Sequence, residues 1–265
     1  MDEHVTDRFR SLHDSGTFVI PNPFDRGSAR LLASLGFAAL ATTSAGLAAS
    51  LGRRDMTIDR EDLVAHVAVV ASATDLPLHV DAERCFGDDP AGVAETVHLL
   101  AHAGAAGCSI EDWNPAEQQI DPLATSVARV AAAAEAAAEH GLVLTARCEH
   151  HLHGVDDLDA TIERLVAYRE AGAEVLYAPG YFGIEEVARI VAGAGAPVNV
   201  LLLPGGPTVA ELTEAGVRRV SLGGGLSNVA YGAVVAQATA IRDHGTPDLT
   251  LPSLSRDTLA AAFEG

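Results

Sequence analysis

Residues 76–113, LPLHVDAERCFGDDPAGVAETVHLLAHAGAAGCSIEDW, decide the fold of this chain. An apolar run through Val80 ends in the carboxylates Asp81 and Glu83, and a turn rich in Gly, Asp and Pro follows. A helical pattern then leads to a second apolar run, which ends in Glu111. This pattern predicts one β-α-β unit. Parallel strands in such units are buried, so polar residues are expected at their carboxyl ends, where α/β proteins bind ligands.

The two strand ends place Asp81 and Glu111 at one rim, with Glu83 two residues after Asp81. Carboxylates packed this closely repel one another unless a proton or a cation lies between them. Hard oxygen ligands favour Mg²⁺, with Mn²⁺ as the second candidate. The alternative is that Asp81 caps the following turn and that Glu111 and Asp112 cap the loop after the second strand. Two successive strands that both end in acids favour the metal site.

Composition narrows the classes of function. The formal net charge of −19 at pH 7 leaves no basic surface for nucleic acid or anionic lipid, so neither is an expected partner. Three cysteines without C-x-x-C spacing argue against a disulfide framework and fit a reducing compartment. The N-terminal residues are too charged for a signal stretch, and no apolar run has membrane-spanning length. We therefore expect a cytoplasmic protein.

The strand-helix pattern recurs eight times along the chain. No linker rich in Pro, Ser or Gly divides it, which favours one closed (β/α)8 TIM-type barrel of the α/β class, a single domain spanning residues 1–265. We expect the barrel core at about residues 17–245, a helix at residues 2–13 that closes its bottom, and an extension at residues 246–265. A doubly wound sheet is the rival, but Pro-Asn-Pro follows the first strand where that fold usually has phosphate-binding glycines.

Further candidate residues follow other strands at the same rim. Small residues after the strand at residues 37–42 would let backbone N–H groups approach a ligand, although a tight turn explains them equally well. These small residues are Ser44, Ala45, Gly46 and Leu47. Asp55 lies in a polar excursion that is too long for a plain turn. Arg147 directly follows a buried strand, so its guanidinium could bind a substrate carboxylate or pair with the acids.

Several weaker motifs have a structural explanation that is at least as good. Residues 149–153, EHHLH, invite a zinc site, but adjacent loop histidines without a partner cluster are more often solvated or hydrogen-bonded. Cys85 and Cys148 follow strand ends among carboxylates, which oppose a reactive thiolate, so we expect both to be inert. The three glycines at residues 223–225 favour room for the last helix over phosphate binding. Asn199 is a candidate substrate contact, and residues 114–122 are expected to lack strands.

Five segments together resemble the isocitrate lyase and phosphoenolpyruvate mutase superfamily, from about residue 18 to residue 245. They are PNPFDRGSARLLASLGFAALATTSAGLAASLG (21–52), LPLHVDAERCFGDDPAGVAETV (76–97), AGAAGCSIED (103–112), TARCEHHLHGVDDLDATIERLVAYREAGAEVLY (145–177) and PTVAELTEAGVRRVSLGGGL (207–226). The resemblance implies a barrel that is often a tetramer with its last helix exchanged between subunits, so we expect a homo-oligomer, tetramer or dimer. It also implies Mg²⁺ catalysis on small 2-oxo or 2-hydroxy acids.

The same resemblance implies roles for the candidate residues. Asp81 and Glu111 would hold the metal, with Glu83 beside them. Asp55 would lie close to the reacting atoms, and Arg147 would face the substrate. The substrate's carboxylate or oxo group would contact Ser44, Ala45, Gly46 and Leu47. For the general base, our own candidates are Asp55 and Glu149.

The chain departs from the characterised branches of that superfamily after the fourth strand. Lyases that act on isocitrate or methylisocitrate carry Lys-Cys-Gly-His there, and mutases and phosphonopyruvate hydrolases carry Asn-Ser, whereas this chain reads DWNPAEQQIDP at residues 112–122. Glu83 also replaces an Asp, and Cys148-Glu149 replaces Thr-Asp.

We expect a Mg²⁺-dependent lyase or hydrolase that cleaves a C–C bond of a small, anionic 2-oxo or 2-hydroxy carboxylic acid through a metal-stabilised enolate. Two alternatives stay open. One is a mutase or phosphonopyruvate hydrolase that acts on a C–P bond. The other is a catalytically retired barrel that only binds small acids.

Overall fold

The computed structural model describes residues 3–181, 183–248, 250 and 253–263. Within this part of the chain the strands are β1 (Phe18–Ile20), β2 (Leu40–Ala41), β3 (Leu78–Asp81), β4 (Gly107–Glu111), β5 (Trp113–Asn114), β6 (Gln119–Ile120), β7 (Val143–Arg147), β8 (Val175–Tyr177), β9 (Val198–Leu201) and β10 (Arg219–Ser221). The α-helices are α1 (Glu3–Ser11), α2 (Arg26–Ser34), α3 (Ser44–Ser50), α4 (Arg60–Ala71), α5 (Pro90–Ala103), α6 (Leu123–Glu139), α7 (Leu158–Glu170), α8 (Ile184–Ala194), α9 (Val209–Glu214), α10 (Gly225–His244) and α11 (Arg256–Phe263).

Eight strands form one parallel sheet in the order β1-β10-β9-β8-β7-β4-β3-β2. The two ends of this sheet meet, because the Ala41 N–H donates to the Pro21 carbonyl at 3.0 Å. Beside this contact, Asn22 Nδ2 donates to the Thr42 carbonyl at 2.9 Å. The strands therefore curl into a TIM-type barrel, and the predicted fold is confirmed.

Side-chain caps determine where many of the outer helices begin. The capping residue accepts a backbone N–H from the first turn, a group that has no partner inside the helix. Residues with this role are Asp25 (α2), Asp59 (α4), Asp89 (α5), Asp157 (α7) and Thr208 (α9). Short polar residues of this kind mark helix starts in sequence, which is why the observed helix starts lie close to the predicted ones.

The bottom of the barrel is closed by α1, as predicted from its amphipathic pattern. Phe9 is fully buried and packs with Ile20 and Val143 from the barrel interior. Gly107 allows this close approach, because a Cβ atom there would lie 2.9 Å from the Phe9 ring and 2.6 Å from the Val143 carbonyl oxygen. The mouth at the carboxyl ends of the strands is thus the end of the barrel left for a ligand.

Two local predictions are wrong. Residues 114–122 were expected to lack strands, but β5 and β6 form an antiparallel hairpin in which Trp113 pairs with Ile120. Strands of two residues carry no readable alternation, and the turn needs a left-handed residue, Gln118 at φ 52°. The tight-turn explanation for the small residues after β2 also fails, because Thr43 caps α3 and those residues form its first turn.

The C-terminal part of the chain lies outside the barrel wall. The long helix α10 buries only Ser227 and exposes apolar side chains, among them Val229 and Val235. Beyond it, α11 packs against α2. None of the described helices has both the length and the apolar character needed to cross a bilayer.

Candidate active site

A cavity of about 220 Å³ opens at the carboxyl ends of the barrel strands. Six of the residues predicted for the site line it, namely Ser44, Ala45, Asp55, Asp81, Arg147 and Asn199. Five others do not line it, namely Gly46, Leu47, Glu83, Glu111 and Glu149, and Glu83 lines a second cavity with Met56 and Asn114. The structure therefore brings the predicted residues to one end of the barrel but exposes only part of them to this cavity.

The acids converge on the guanidinium of Arg147. Arg147 Nη1 lies 2.7 Å from Asp81 Oδ1, Nη2 lies 3.0 Å from Glu111 Oε2, and Nε lies 2.9 Å from Glu149 Oε1. Strand register produces this arrangement, because Glu111 on β4 pairs with Arg147 on β7 and Asp81 ends the adjacent strand β3. In the protein alone, the cation between Asp81 and Glu111 is thus an arginine.

Asp81 is held in place from the other side by the β2–α3 junction. Its Oδ2 accepts the Ser44 N–H at 3.1 Å, and its own backbone N–H donates to Thr42 Oγ1 at 2.9 Å. The side chain remains 18% exposed and forms part of the cavity wall. Of the three acids predicted to bind metal, Asp81 is therefore the one that a ligand in the cavity can reach directly.

Negative charge exceeds positive charge around this arginine. Burial raises the pKa of Glu111 well above the ordinary range of a carboxyl group, although Arg147 opposes the shift. Burial also raises the pKa of Glu149, again against Arg147. The pKa of Glu83 rises to about 8, first through burial and then through the negative charges of Asp81 and Asp55. One guanidinium does not balance this many carboxylates, so the site takes up either protons or an additional cation.

The loop after β3 is strained where it carries Glu83. Glu83, Cys85 and Phe86 all have left-handed backbone conformations, with φ of 47°, 60° and 51°. Each such residue costs about 1–3 kcal/mol, and clusters of them occur at functional sites. Thr96 on α5 secures the loop by donating its hydroxyl hydrogen to the Cys85 carbonyl at 2.7 Å. The surrounding structure thus holds Glu83 in a conformation that a free loop would avoid.

The residues at the mouth fit a hard divalent cation. Asp81 offers a carboxylate to the cavity, and Glu83 Oε1 is a buried oxygen without a hydrogen-bond partner among the described residues. Within that part of the chain, no three acids of the mouth bring ligand oxygens within 4.8 Å of one another. Mg²⁺ usually keeps several water ligands and binds through one or two carboxylates. The donor set therefore suits Mg²⁺, and Asp81, Glu83 and Glu111 are the residues that would hold it.

The N-terminus of α3 adds a backbone donor to the cavity wall. The Leu47 N–H donates to the Thr43 carbonyl inside the helix, and the Gly46 N–H points to Thr43 Oγ1 at 3.5 Å. The Ser44 N–H donates to Asp81. Among the backbone N–H groups of residues 44–47, that of Ala45 is therefore the one without a partner among the described residues. Gly46 is required for packing, since a Cβ there would lie 2.9 Å from Phe24 Cβ.

Sequence reasoning missed Arg219, which lines the floor of the cavity and is 2% exposed. Its Nε donates to Asn199 Oδ1 at 2.9 Å, and its Nη2 donates to Thr145 Oγ1 at 2.9 Å. No described carboxylate forms an ion pair with it, and burial lowers its pKa to about 9. The available signal was the sequence Arg218-Arg219 in a strand, because alternate strand residues face opposite sides and one of them had to face inward.

The loop histidines have structural partners. His150 Nδ1 lies 3.2 Å from Thr161 Oγ1, His151 stacks on Tyr181, and His153 stacks on Trp113 with ring centroids 3.5 Å apart. The last contact joins the turn after β7 to the β5–β6 hairpin. Both cysteines beside the site, Cys85 and Cys148, are buried, and burial raises the pKa of each thiol. These properties agree with the expectation that both thiols are inert.

Fold and site together define a class of protein, a (β/α)8 barrel with an acidic mouth built around one arginine. The chain belongs to the phosphoenolpyruvate phosphomutase family, whose model matches residues 9–242, and thus to the isocitrate lyase and phosphoenolpyruvate mutase superfamily. The superfamily predicted from the sequence is confirmed.

Individual relatives cover most of the chain. A lyase- or mutase-like protein of Burkholderia cenocepacia J2315 has a crystal structure that matches with a TM-score of 0.92 and 48% identity, over 97% of this chain and 94% of that one. An uncharacterized protein of Mycobacterium tuberculosis is 36% identical over 81% of both chains. The probable 2-methylisocitrate lyase 2 of Corynebacterium glutamicum is 30% identical over 84% of this chain and 71% of its own length.

Proposed function

We propose that this protein is a Mg²⁺-dependent lyase or hydrolase that cleaves a C–C bond next to the oxygenated carbon of a small 2-oxo or 2-hydroxy carboxylic acid. The observation that carries the proposal is the position of Asp81 in the cavity wall, between the first turn of α3 and Arg147. Membership of a family whose relatives include 2-methylisocitrate lyases supports an enzyme of the C–C lyase type.

The bound acid would lie with its carboxylate and C2 oxygen toward Asp81. A divalent cation held there would supply a Lewis acid for the negative charge that develops on the C2 oxygen when the bond breaks. The Ala45 N–H, at the positive end of α3, would donate to the same charge. Arg147, which also faces the cavity, would bind and orient the substrate carboxylate. Asn199 would contact the substrate from the opposite wall, where Arg219 and Ser221 fix its amide.

Two residues were candidates for the general base, and the cavity favours Asp55. Asp55 lines the cavity, and its only described hydrogen bond is to the neighbouring Met56 N–H at 3.0 Å. Glu149 is 2% exposed and lies behind Arg147, from which it cannot reach a proton on a bound acid without displacing the arginine. We therefore assign proton transfer to Asp55, and to Glu149 the positioning of Arg147.

The two alternative functions differ in what they predict. A C–P mutase or phosphonopyruvate hydrolase would change the phosphorus NMR spectrum of phosphonopyruvate, and a retired barrel would bind acids without turnover. The hairpin after Asp112 motivates the retired barrel, since it replaces the segment that carries catalytic side chains in the characterised branches.

The experiment that tests the proposal has two stages. Calorimetry with oxalate, a mimic of the enolate of pyruvate, is expected to show binding that depends on Mg²⁺, with Mn²⁺ as a replacement. A turnover screen of 2-oxo and 2-hydroxy diacids with the same metals is then expected to show C–C cleavage. Binding without turnover of any acid would support the retired barrel, and a phosphorus signal change alone would support the C–P chemistry.

We further propose that the protein assembles as a cytoplasmic homo-oligomer, a dimer or tetramer. Four large apolar side chains of α10 are at least half exposed, and a second copy of this chain would cover them. They are Val229, Val234, Val235 and Ile241. Light scattering of the parent and of a Val234→Glu, Val235→Glu variant tests this, with a smaller mass expected for the variant.

A further inference from the structure

A second group of metal-ligating side chains lies at the opposite end of the barrel from the cavity. His98 and His102 are one helical turn apart on α5, and Glu139 and His140 form the end of α6. Because each of these helices follows a strand that ends at the mouth, their C-termini lie toward the closed bottom. Nothing in the proposed chemistry at the mouth uses these residues.

The geometry of this group is close to that of a metal site. His98 Nδ1 lies 2.9 Å from His140 Nε2, and one ligand atom from each of His98, Glu139 and His140 lies within 4.8 Å of the other two. Two nitrogens bound to one tetrahedral zinc at ordinary Zn–N distances lie about 3.3 Å apart. The distance between the two nitrogens is therefore a few tenths of an ångström shorter than in such a zinc site.

A fourth ligand is available from the next turn of α5. The ring centroid of His102 lies 5.3 Å from that of His140. Residues i and i+4 of a helix lie on the same face, so His98 and His102 present their rings to the same partner on α6. A site with two helix faces and up to three imidazoles resembles protein zinc sites in ligand type and in number.

Charge and protonation also favour a cation here. The contact between His98 Nδ1 and His140 Nε2 requires one ring nitrogen to donate and the other to accept, which at least one neutral ring satisfies. A neutral imidazole is the form of histidine that binds a metal. The C-terminal end of α6 and the carboxylate of Glu139 attract positive charge.

We propose that His98, Glu139 and His140, with His102 as the fourth ligand, bind a divalent transition metal of the zinc type. Imidazole and carboxylate ligands together select Zn²⁺ and its neighbours over Mg²⁺, which distinguishes this site from the acidic mouth. The metal would join α5 to α6, the helices on either side of β4, the strand that carries Glu111. The inference does not depend on the reaction at the mouth.

Calorimetric titration of the full-length protein with Zn²⁺, in excess Mg²⁺ to occupy the mouth, tests the proposal. The parent is expected to bind one Zn²⁺ at this site, and a His98→Gln, His140→Asn variant is expected to lose at least about tenfold in affinity. His244→Gln removes an exposed histidine on α10 and is expected to bind like the parent. Asp81→Asn is likewise expected to bind Zn²⁺ unchanged, because it alters only the mouth.

Co²⁺ provides a second readout, because a tetrahedral nitrogen-and-oxygen site gives it a visible absorption much stronger than that of the hydrated ion. That absorption is expected in the parent and not in the double variant. The thermal midpoints of the metal-free proteins show whether the variant folds. The proposal is overturned if the double variant binds Zn²⁺ as tightly as the parent, if the parent shows no stoichiometric binding, or if Asp81→Asn abolishes it.

Discussion

Arg147 Nη1 contacts Asp81 Oδ1 at 2.7 Å, so the residue best placed to bind a metal is already paired with the residue best placed to bind a substrate carboxylate. Glu111 and Glu149 hold the same guanidinium at 3.0 Å and 2.9 Å. A cation bound at Asp81 would compete with Arg147 for that carboxylate and would leave Nη1 free to face the cavity. Metal binding and substrate binding are therefore expected to support each other.

Replacing Arg147 by methionine is expected to destabilise the fold strongly. The change leaves the carboxylates of Asp81, Glu111 and Glu149 without their shared partner, two of them buried. Removing one side of a buried ion pair typically costs about 3–5 kcal/mol. Urea unfolding of parent and variant at neutral pH measures the difference, and a loss below about 1 kcal/mol would mean that the ion pairs contribute little.

Replacing Arg219 by methionine is the matched comparison, because it removes the other arginine of the cavity and is expected to cost less stability. Its described partners, Asn199, Thr145 and His13, are neutral, so no carboxylate is left without a partner. We expect a smaller loss of stability than for Arg147→Met, because each neutral hydrogen bond is worth about 1 kcal/mol and a buried cation is removed as well.

The same Arg219 variant is expected to bind anions more weakly, because Arg219 is the cavity cation without an acidic partner among the described residues. For a four-carbon 2-oxo diacid in the presence of Mg²⁺, we expect the Kd to rise about tenfold, equivalent to roughly 1.4 kcal/mol. Calorimetry measures this Kd. An unchanged Kd would assign Arg219 to the barrel structure alone.

The stability of the fold is expected to fall at mildly acidic pH partly through His66. Burial lowers the pKa of His66 from 6.5 to about 4, with Asp25 opposing the shift. Between these two values the unfolded chain takes up a proton that the native chain refuses, so the free energy of unfolding falls as the pH falls. The loss in the free energy of unfolding reaches up to about 3 kcal/mol at the lower of these pH values, and there is no loss above pH 6.5.

His66→Gln removes this titration and provides the measurement. We expect the parent to lose stability relative to the variant as the pH falls from 6.5 to about 4, with parallel curves outside this window. His244→Gln, at an exposed position, serves as control and is expected to follow the parent. Parallel curves for parent and His66→Gln throughout that pH range would show that this ring is not the cause.

The fold could be predicted because its signals are local. The helix caps Asp25, Asp59 and Thr208 mark helix starts within a few residues of sequence, and β3 and β4 each end in an acid. The same strand-helix pattern repeats around the closed sheet, so these local signals are sufficient to predict the barrel. The β5–β6 hairpin escaped prediction because it depends on a left-handed turn and on two pairs of residues, too few to show a period.

The sequence identified most residues of the site but not the contacts between their side chains. Strand ends identified Asp81, Glu111 and Arg147, yet their pairing depends on the register of β3, β4 and β7, which no short motif records. Arg219 escaped because β10 has only three residues, all of them buried, and so has no exposed face from which its inward direction could be read. The pairing of His98 with His140 depends on how α5 packs against α6 across 42 residues of chain.

The role of Asp81 is tested most directly by Asp81→Asn, measured by calorimetry with Mg²⁺ and oxalate and by turnover of whichever acid the screen identifies. Asparagine keeps the size of the side chain and can still accept the Ser44 N–H, so the fold is expected to survive, as thermal unfolding will show. We predict that the variant loses Mg²⁺-dependent oxalate binding and most of its activity. Equal oxalate affinity and equal turnover in variant and parent would contradict the assignment of the metal to this mouth.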